Sequence, residues 1–171
     1  MKSESAEVPV SDAVRDAVAR LLGREPRGLR EVPVLDKDGQ PAVIRVAPLV
    51  DGKPFPTLFW LVDPELCYRI DQAEASGLIQ HFQERVDGDG VLREAMTADH
   101  HDYISLRNHY MGETERQSLQ ELGYYHILQT RGVGGIADFT RIRCLHTWYG
   151  AHLVKANTIG KLLDAHWAEL P

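Results

Sequence analysis

Apolar residues along the chain change period twice. Val14, Val18, Leu21 and Leu22 recur at helical spacing behind Ser11, which can cap a helix beginning at Asp12. Gly23 fits the stop of that helix, and Pro26 forbids its continuation. Residues 29–36 (LREVPVLD) and 41–48 (PAVIRVAP) then read as strands, with Asp38-Gly39 as the hairpin signal between them. Pro33 places the first strand at a sheet edge. A second turn at 51–53 precedes a third strand over 54–63, apolar from Leu58 to Val62 and so expected to be buried on both faces. Three strands in succession predict an antiparallel meander.

From Asp63 onward the period is helical. Asp63 can cap, and Pro64 open, a helix running to about Ser76 and ended by Gly77. Further helices are predicted over 78–86, stopped by DGDG, and over 91–110 and 114–129. A glycine-rich loop, RGVGG, covers 131–135. Asp138 can cap a helix from Phe139 to about Lys155, and Asn157 or Thr158 can cap a last one over 158–169. The predicted fold class is α+β: a small antiparallel three-stranded sheet followed by a helical bundle packed on one face of it. One domain spans 1–171, with 1–8 polar and flexible.

Composition narrows the classes of function. The net charge of −6 disfavours indiscriminate binding to nucleic acid or to anionic membrane. No apolar run approaches the roughly 18–20 residues that span a bilayer, and the N-terminus has no signal-peptide core. Cys67 and Cys144 are the only cysteines, too few for a disulfide framework. A cytoplasmic protein is expected; no pattern specifies an oligomer. Of the 19 basic residues five are lysine and the rest arginine, the side chain suited to a bidentate grip on phosphate or carboxylate.

Candidate chemistry concentrates in RCLHTWYGAH, residues 143–152. If 139–155 is one helix, Phe139, Ile142, Leu145, His146, Tyr149 and Leu153 share one face and Cys144, Trp148, Ala151 and His152 lie on the other side. Both faces carry apolar bulk, which makes this a central helix covered on both sides. Cys144 and His146 then point about 200° apart. They can meet only if the helix starts later or if 141–146 is loop. On the intact helix Cys144 is a buried, inert thiol, and His152 lies about 12 Å along the axis from it. The more economical expectation is an anion site. RGVGGIADFTRIR carries glycines into a helix N-terminus, where free amides and the helix dipole favour negative charge. In that scheme Arg131, Arg141 and Arg143 supply charge, Gly134 and Gly135 allow close backbone approach, and Arg24 and Arg27 of GREPRG contribute from the start of the chain. His146 would be its proton donor and Cys144 a second catalytic candidate. The pattern is neither a P-loop nor GxGxxG. DHHDY (99–103) reads as a solvated helical face and YYHI (124–127) as core packing.

LGREPRG, PFPTLFWLVDP and GGIADFTRIRCLHTWYGAHLVKANTIG, in that order, resemble the bacterial domain-of-unknown-function 501 family from about Leu22 to Leu163. The resemblance implies a fold and no reaction. In the family the residue before the middle-block proline is often Cys or His, where Asp63 stands here, and its late Cys-Leu-His with a following His corresponds to Cys144, His146 and His152. The resemblance therefore raises a metal reading, a divalent ion held by Asp63, Cys144, His146 and His152. Asn157-Thr158-Ile159-Gly160 lacks the proline of the family's Asn-Pro-x-Gly. Three readings stand at this stage: a small-anion pocket binding phosphate or carboxylate, a metal-binding protein or metalloenzyme, and a non-enzymatic protein-interaction module.

Overall fold

A computed structural model describes residues 9–170; the predicted flexible segment 1–8 lies outside them. Ser11 caps α1 (Asp12–Leu22) by accepting the Val14 amide, and Gly23 ends it in the left-handed conformation at φ 67°. The sheet follows: β1 (Leu29–Leu35), β2 (Pro41–Val46), a short hairpin of β3 (Leu49–Val50) and β4 (Lys53–Pro54), and β5 (Phe59–Leu61). Its antiparallel order is β1-β2-β5, so the strand containing Pro33 does lie at an edge. The β3–β4 hairpin turns on Asp51 and Gly52, both at positive φ, the conformation that suits a two-residue connection.

Successive side chains of β2 face opposite ways. Val43 joins the main core with Phe59, Leu145 and Trp148, whereas Ile44 and Val46 join a second core with Val18, Leu29 and Val62. Val14, Leu21 and Leu22 of α1 pack on that second core. The sheet is thus covered on both faces, where the sequence pattern predicts helices on one. Only the helices after the sheet follow the predicted side.

Those helices are α2 (Pro64–Ala75), α3 (Leu78–Gly88), α4 (Gly90–Tyr110), α5 (Glu113–Glu121), α6 (Tyr125–Thr130), α7 (Leu145–Val154) and α8 (Thr158–Ala168). The predicted helix over 114–129 is two helices, broken where Gly123 takes φ +75°. The predicted helix over 139–155 is shortened to α7, and residues 139–144 run irregular and extended before it. Leu145, Trp148, Tyr149, Gly150 and Ala151 of α7 are all buried, which makes it the central helix expected. A Cβ at Gly150 would sit 3.1 Å from the Leu61 amide, so glycine lets α7 approach β5. Asn157 caps α8 through the Gly160 amide at 2.8 Å and also donates to the Trp148 carbonyl at 2.9 Å.

Two α4 side chains anchor the loop after α6. His100 is fully buried, against the expectation of a solvated face for DHHDY. Its Nδ1 accepts the Val133 amide at 3.0 Å, and its ring stacks on Phe139 at 4.4 Å. Arg107, also buried, donates to the carbonyls of Pro56 at 2.6 Å, Arg131 at 2.5 Å and Leu128. No carboxylate pairs with it among the described residues, so three carbonyl dipoles and the face of Tyr103 at 5.6 Å carry the charge.

Replacing Arg107 by Leu leaves those carbonyls without their donor, at a cost of roughly 3 kcal/mol or more in chemical denaturation. His100 gives a pH signature of its own. Burial, with His101 adding and Asp138 opposing, lowers its pKa to about 4. The unfolded chain takes up a proton as pH falls below about 6.5 and the folded chain does not. Its contribution is therefore complete above pH 6.5 and is lost on acidification towards pH 4, by about 3 kcal/mol in all. The difference in unfolding free energy between the parent and His100→Gln should slope across that window and be flat above it.

Candidate functional site

The unwinding before α7 builds the site. Gln83 of α3 occupies both polar groups of the incoming strand: its amide nitrogen donates to the Thr140 carbonyl at 2.8 Å, and its oxygen accepts the Ile142 amide at 2.9 Å. Helical partners are thereby replaced by a tertiary side chain. Asp138, predicted to cap a helix, instead closes a local turn by accepting the amide and hydroxyl of Thr140. Cys144 is extended at φ −152° and stands at the N-cap of α7. Glu74 of α2 supplies the cap, its Oε1 accepting the Leu145 amide at 2.7 Å.

With Cys144 outside the helix, the two-residue spacing to His146 no longer separates them. Cys144 Sγ lies 3.7 Å from His146 Nδ1, and Glu74 Oε1 lies 3.4 Å from the same nitrogen. The three atoms are all within 4.8 Å of one another. The other ring nitrogen, Nε2, is 3.1 Å from Asp71 Oδ1 and 3.3 Å from the Cys67 carbonyl. These acceptors favour a proton on Nε2, which presents Nδ1 to the thiol. His146 and Glu74 each keep about a quarter of the side chain exposed (26%), so the group is open to ions and small molecules.

The two thiols differ in character. Burial, then the negative fields of Asp71, Asp63 and Cys144, push Cys67 up to about 11. Its thiol donates to the Leu61 carbonyl at 3.7 Å. Burial also raises Cys144, but the His146 hydrogen bond and the Thr147 amide outweigh it, and the thiol lies below the ordinary range. The same bond to Cys144 lifts His146 to about 9, against burial and with help from Glu74 and Asp71. The Cys144 sulfur and the Glu74 and Asp71 carboxylates face the His146 ring from its two nitrogens, and each favours positive charge on it.

The remaining expected site residues are dispersed. Asp63 is buried and caps α2 by accepting the Leu66 amide at 3.0 Å; it acts on Cys67 through its field. His152 has both nitrogens engaged, one by Asp164 at 2.8 Å and the other by the Asn157 amide at 3.0 Å. The ligand-type cluster therefore comprises Cys144 and His146 with Glu74, without Asp63 or His152. In the expected anion corner, the glycine loop does not run directly into α7; residues 136–144 separate the two. The close approaches of Gly134 and Gly135 are to Thr147 Oγ1 and Pro56, at 2.8 and 3.1 Å from an added Cβ, and so serve packing. Arg141 faces Asp87 at 4.0 Å, Arg143 is exposed, and the Arg131 carbonyl belongs to the Arg107 clamp. Arg24 and Arg27 line a cavity to which none of the other five residues of that corner contributes.

Cys67, Asp71 and Glu74 escaped the reading of the late motif because they come from another helix. They do follow one another at i, i+4 and i+7 from Cys67, one face of α2, four residues behind its Asp63 cap.

Residues 32–165 match the family described as a protein of unknown function, DUF501. The chain belongs to that family. No curated protein and no solved structure matches it.

The two thiols should separate in alkylation kinetics. In chelator-treated protein at pH 7, iodoacetamide should modify Cys144 faster than Cys67, in the direction of their opposite pKa shifts. His146→Gln should slow Cys144 at pH 7 and move its rate profile to higher pH. Equal rates in the parent, read by peptide mass spectrometry, would remove the thiolate.

Proposed function

We propose that the protein binds a divalent metal of the zinc type through Cys144 Sγ, His146 Nδ1 and Glu74 Oε1. The observation that carries this reading is the convergence of a soft sulfur, an imidazole nitrogen and a carboxylate oxygen within 4.8 Å. Ligand atoms around a tetrahedral zinc stand about 3.3–3.6 Å apart, from its usual bond lengths. The Cys144–His146 and His146–Glu74 separations of 3.7 and 3.4 Å match that spacing, and the sulfur and the carboxylate lie within 4.8 Å of each other. Asp71 behind Nε2 supplies the carboxylate that orients a metal-bound histidine. Three protein ligands leave a fourth position for water or for a substrate oxygen, the arrangement of a Lewis-acid site. Asp63 belongs to its surroundings through Cys67, and His152 stays outside it.

A second reading uses the same residues without a metal. The lowered Cys144 thiol and raised His146 favour a nucleophilic thiolate, with His146 as its acid–base partner and Asp71 as the orienting carboxylate. The interaction-module reading has less to rest on. Among the described residues, the exposed large apolar side chains Leu35, Tyr68, Val91, Leu122 and Leu170 belong to five separate parts of the chain.

Metal content of purified protein, followed by cobalt(II) titration of the chelated form, separates the two. A metal centre gives equimolar uptake, a thiolate-to-cobalt charge-transfer band, and protection of Cys144 from iodoacetamide. Cys144→Ser and His146→Gln should each weaken uptake by about 10- to 100-fold or more, and Asp71→Asn by about tenfold. Absence of uptake together with fast Cys144 alkylation would transfer the site to the nucleophile reading.

A further inference from the structure

On the other face of the sheet from α7, α1 and the turn after it leave a cavity of about 420 Å³, within the range of small-molecule sites. Its apolar wall is built by Ile44 of β2, Phe55 and Trp60. The two aromatic rings stand 5.3 Å apart, tilted by 35°. The Arg24 guanidinium lies 5.5 Å from the Trp60 ring centroid. Gly28, at φ +73°, seats the turn against the β3–β4 hairpin; a Cβ there would fall 2.6 Å from Val50 Cγ2.

The rim carries an excess of positive charge. Arg24, Arg27 and Lys53 line it together with Glu25 and Asp51. Both carboxylates are engaged, Asp51 with Arg27 at 2.9 Å and Glu25 with Arg15 at 3.7 Å. Arg24 and Lys53 have no carboxylate partner among the described residues. An aromatic wall lined by two cations without carboxylate partners is complementary to one kind of small molecule.

We infer that this cavity binds a small planar anion, a flat ring joined to a phosphate or carboxylate group. The ring packs against Phe55 and Trp60, and the anionic group lies between Arg24 and Lys53. Arg24 then holds its position by stacking on Trp60 and turns its remaining N–H groups to the anion. The site is independent of the metal reading, since none of its residues belongs to the Cys144 cluster.

Calorimetry and tryptophan fluorescence on the full chain test this with four probes. Adenosine 5′-monophosphate and indole-3-acetate carry ring and anion together; adenosine and inorganic phosphate carry one each. Expected is saturable binding of the first two at millimolar concentration or below, with adenosine and inorganic phosphate each about tenfold weaker or more. Arg24→Gln and Lys53→Gln, both exposed substitutions outside the core, should each weaken the ring-bearing anions about tenfold without lowering the melting temperature. Trp60→Phe should abolish the fluorescence change. Failure of both ring-bearing anions to bind would overturn the proposal, as would equal affinity for adenosine 5′-monophosphate and adenosine, or for adenosine 5′-monophosphate and inorganic phosphate. Indifference of adenosine 5′-monophosphate binding to Arg24→Gln and Lys53→Gln combined would do the same.

Discussion

One hydrogen bond sets the geometry of the candidate metal site, the Leu145 amide donating to the Glu74 carboxylate. A helix must satisfy its first amides, and the residue before it usually does so with its own side chain. Cys144 is a poor cap, and the acceptor comes instead from α2, 71 residues earlier. Because that carboxylate fixes the start of α7 at Leu145, the thiol remains on extended backbone beside the imidazole two positions on. Starting α7 a turn earlier would swing sulfur and nitrogen to opposite sides of a cylinder.

The same carboxylate belongs to both a structural and a chemical arrangement. Glu74 Oε1 caps the helix and faces His146 Nδ1, so one carboxylate oxygen serves both arrangements. The dipole of α7 adds positive potential at the same end. Nearby, buried polar groups hold the preceding loop by different means. Val133 gives its amide to His100, and Arg131 gives its carbonyl to Arg107. A Cβ on Gly132 would meet the His100 ring at 2.1 Å, so glycine at this position lets the loop lie on a buried histidine. The segment that looks like an anion loop in the sequence is a packed connection.

Much of the architecture was legible in local signals. Ser11, Asp63 and Asn157 cap the helices assigned to them, and Pro33 marks an edge strand. These outcomes depend on residues adjacent in sequence. The start of α7 was not legible, because residues 139–144 have acceptable helical pattern and lose it to Gln83 and Glu74 from two other helices. For the same reason Cys144 and His146 were identified as candidates while their partners were not. Asp63 and His152, linked to them by family resemblance, have structural partners of their own. His100 was misplaced on a wet surface because a helical face gives no sign of the loop that will cover it.

The double-faced burial of β2 carries a consequence for how this chain can change over time. Val43 and Ile44 are neighbours in sequence, yet they point into separate cores. The sheet therefore works as a bulkhead, with the Cys144, His146 and Glu74 cluster on the α7 side and the aromatic recess on the α1 side. Distant substitutions that share no contacts combine nearly additively. Drift in one compartment is thus insulated from the other, and a lineage could reshape the recess residue by residue while leaving the opposite chemistry intact.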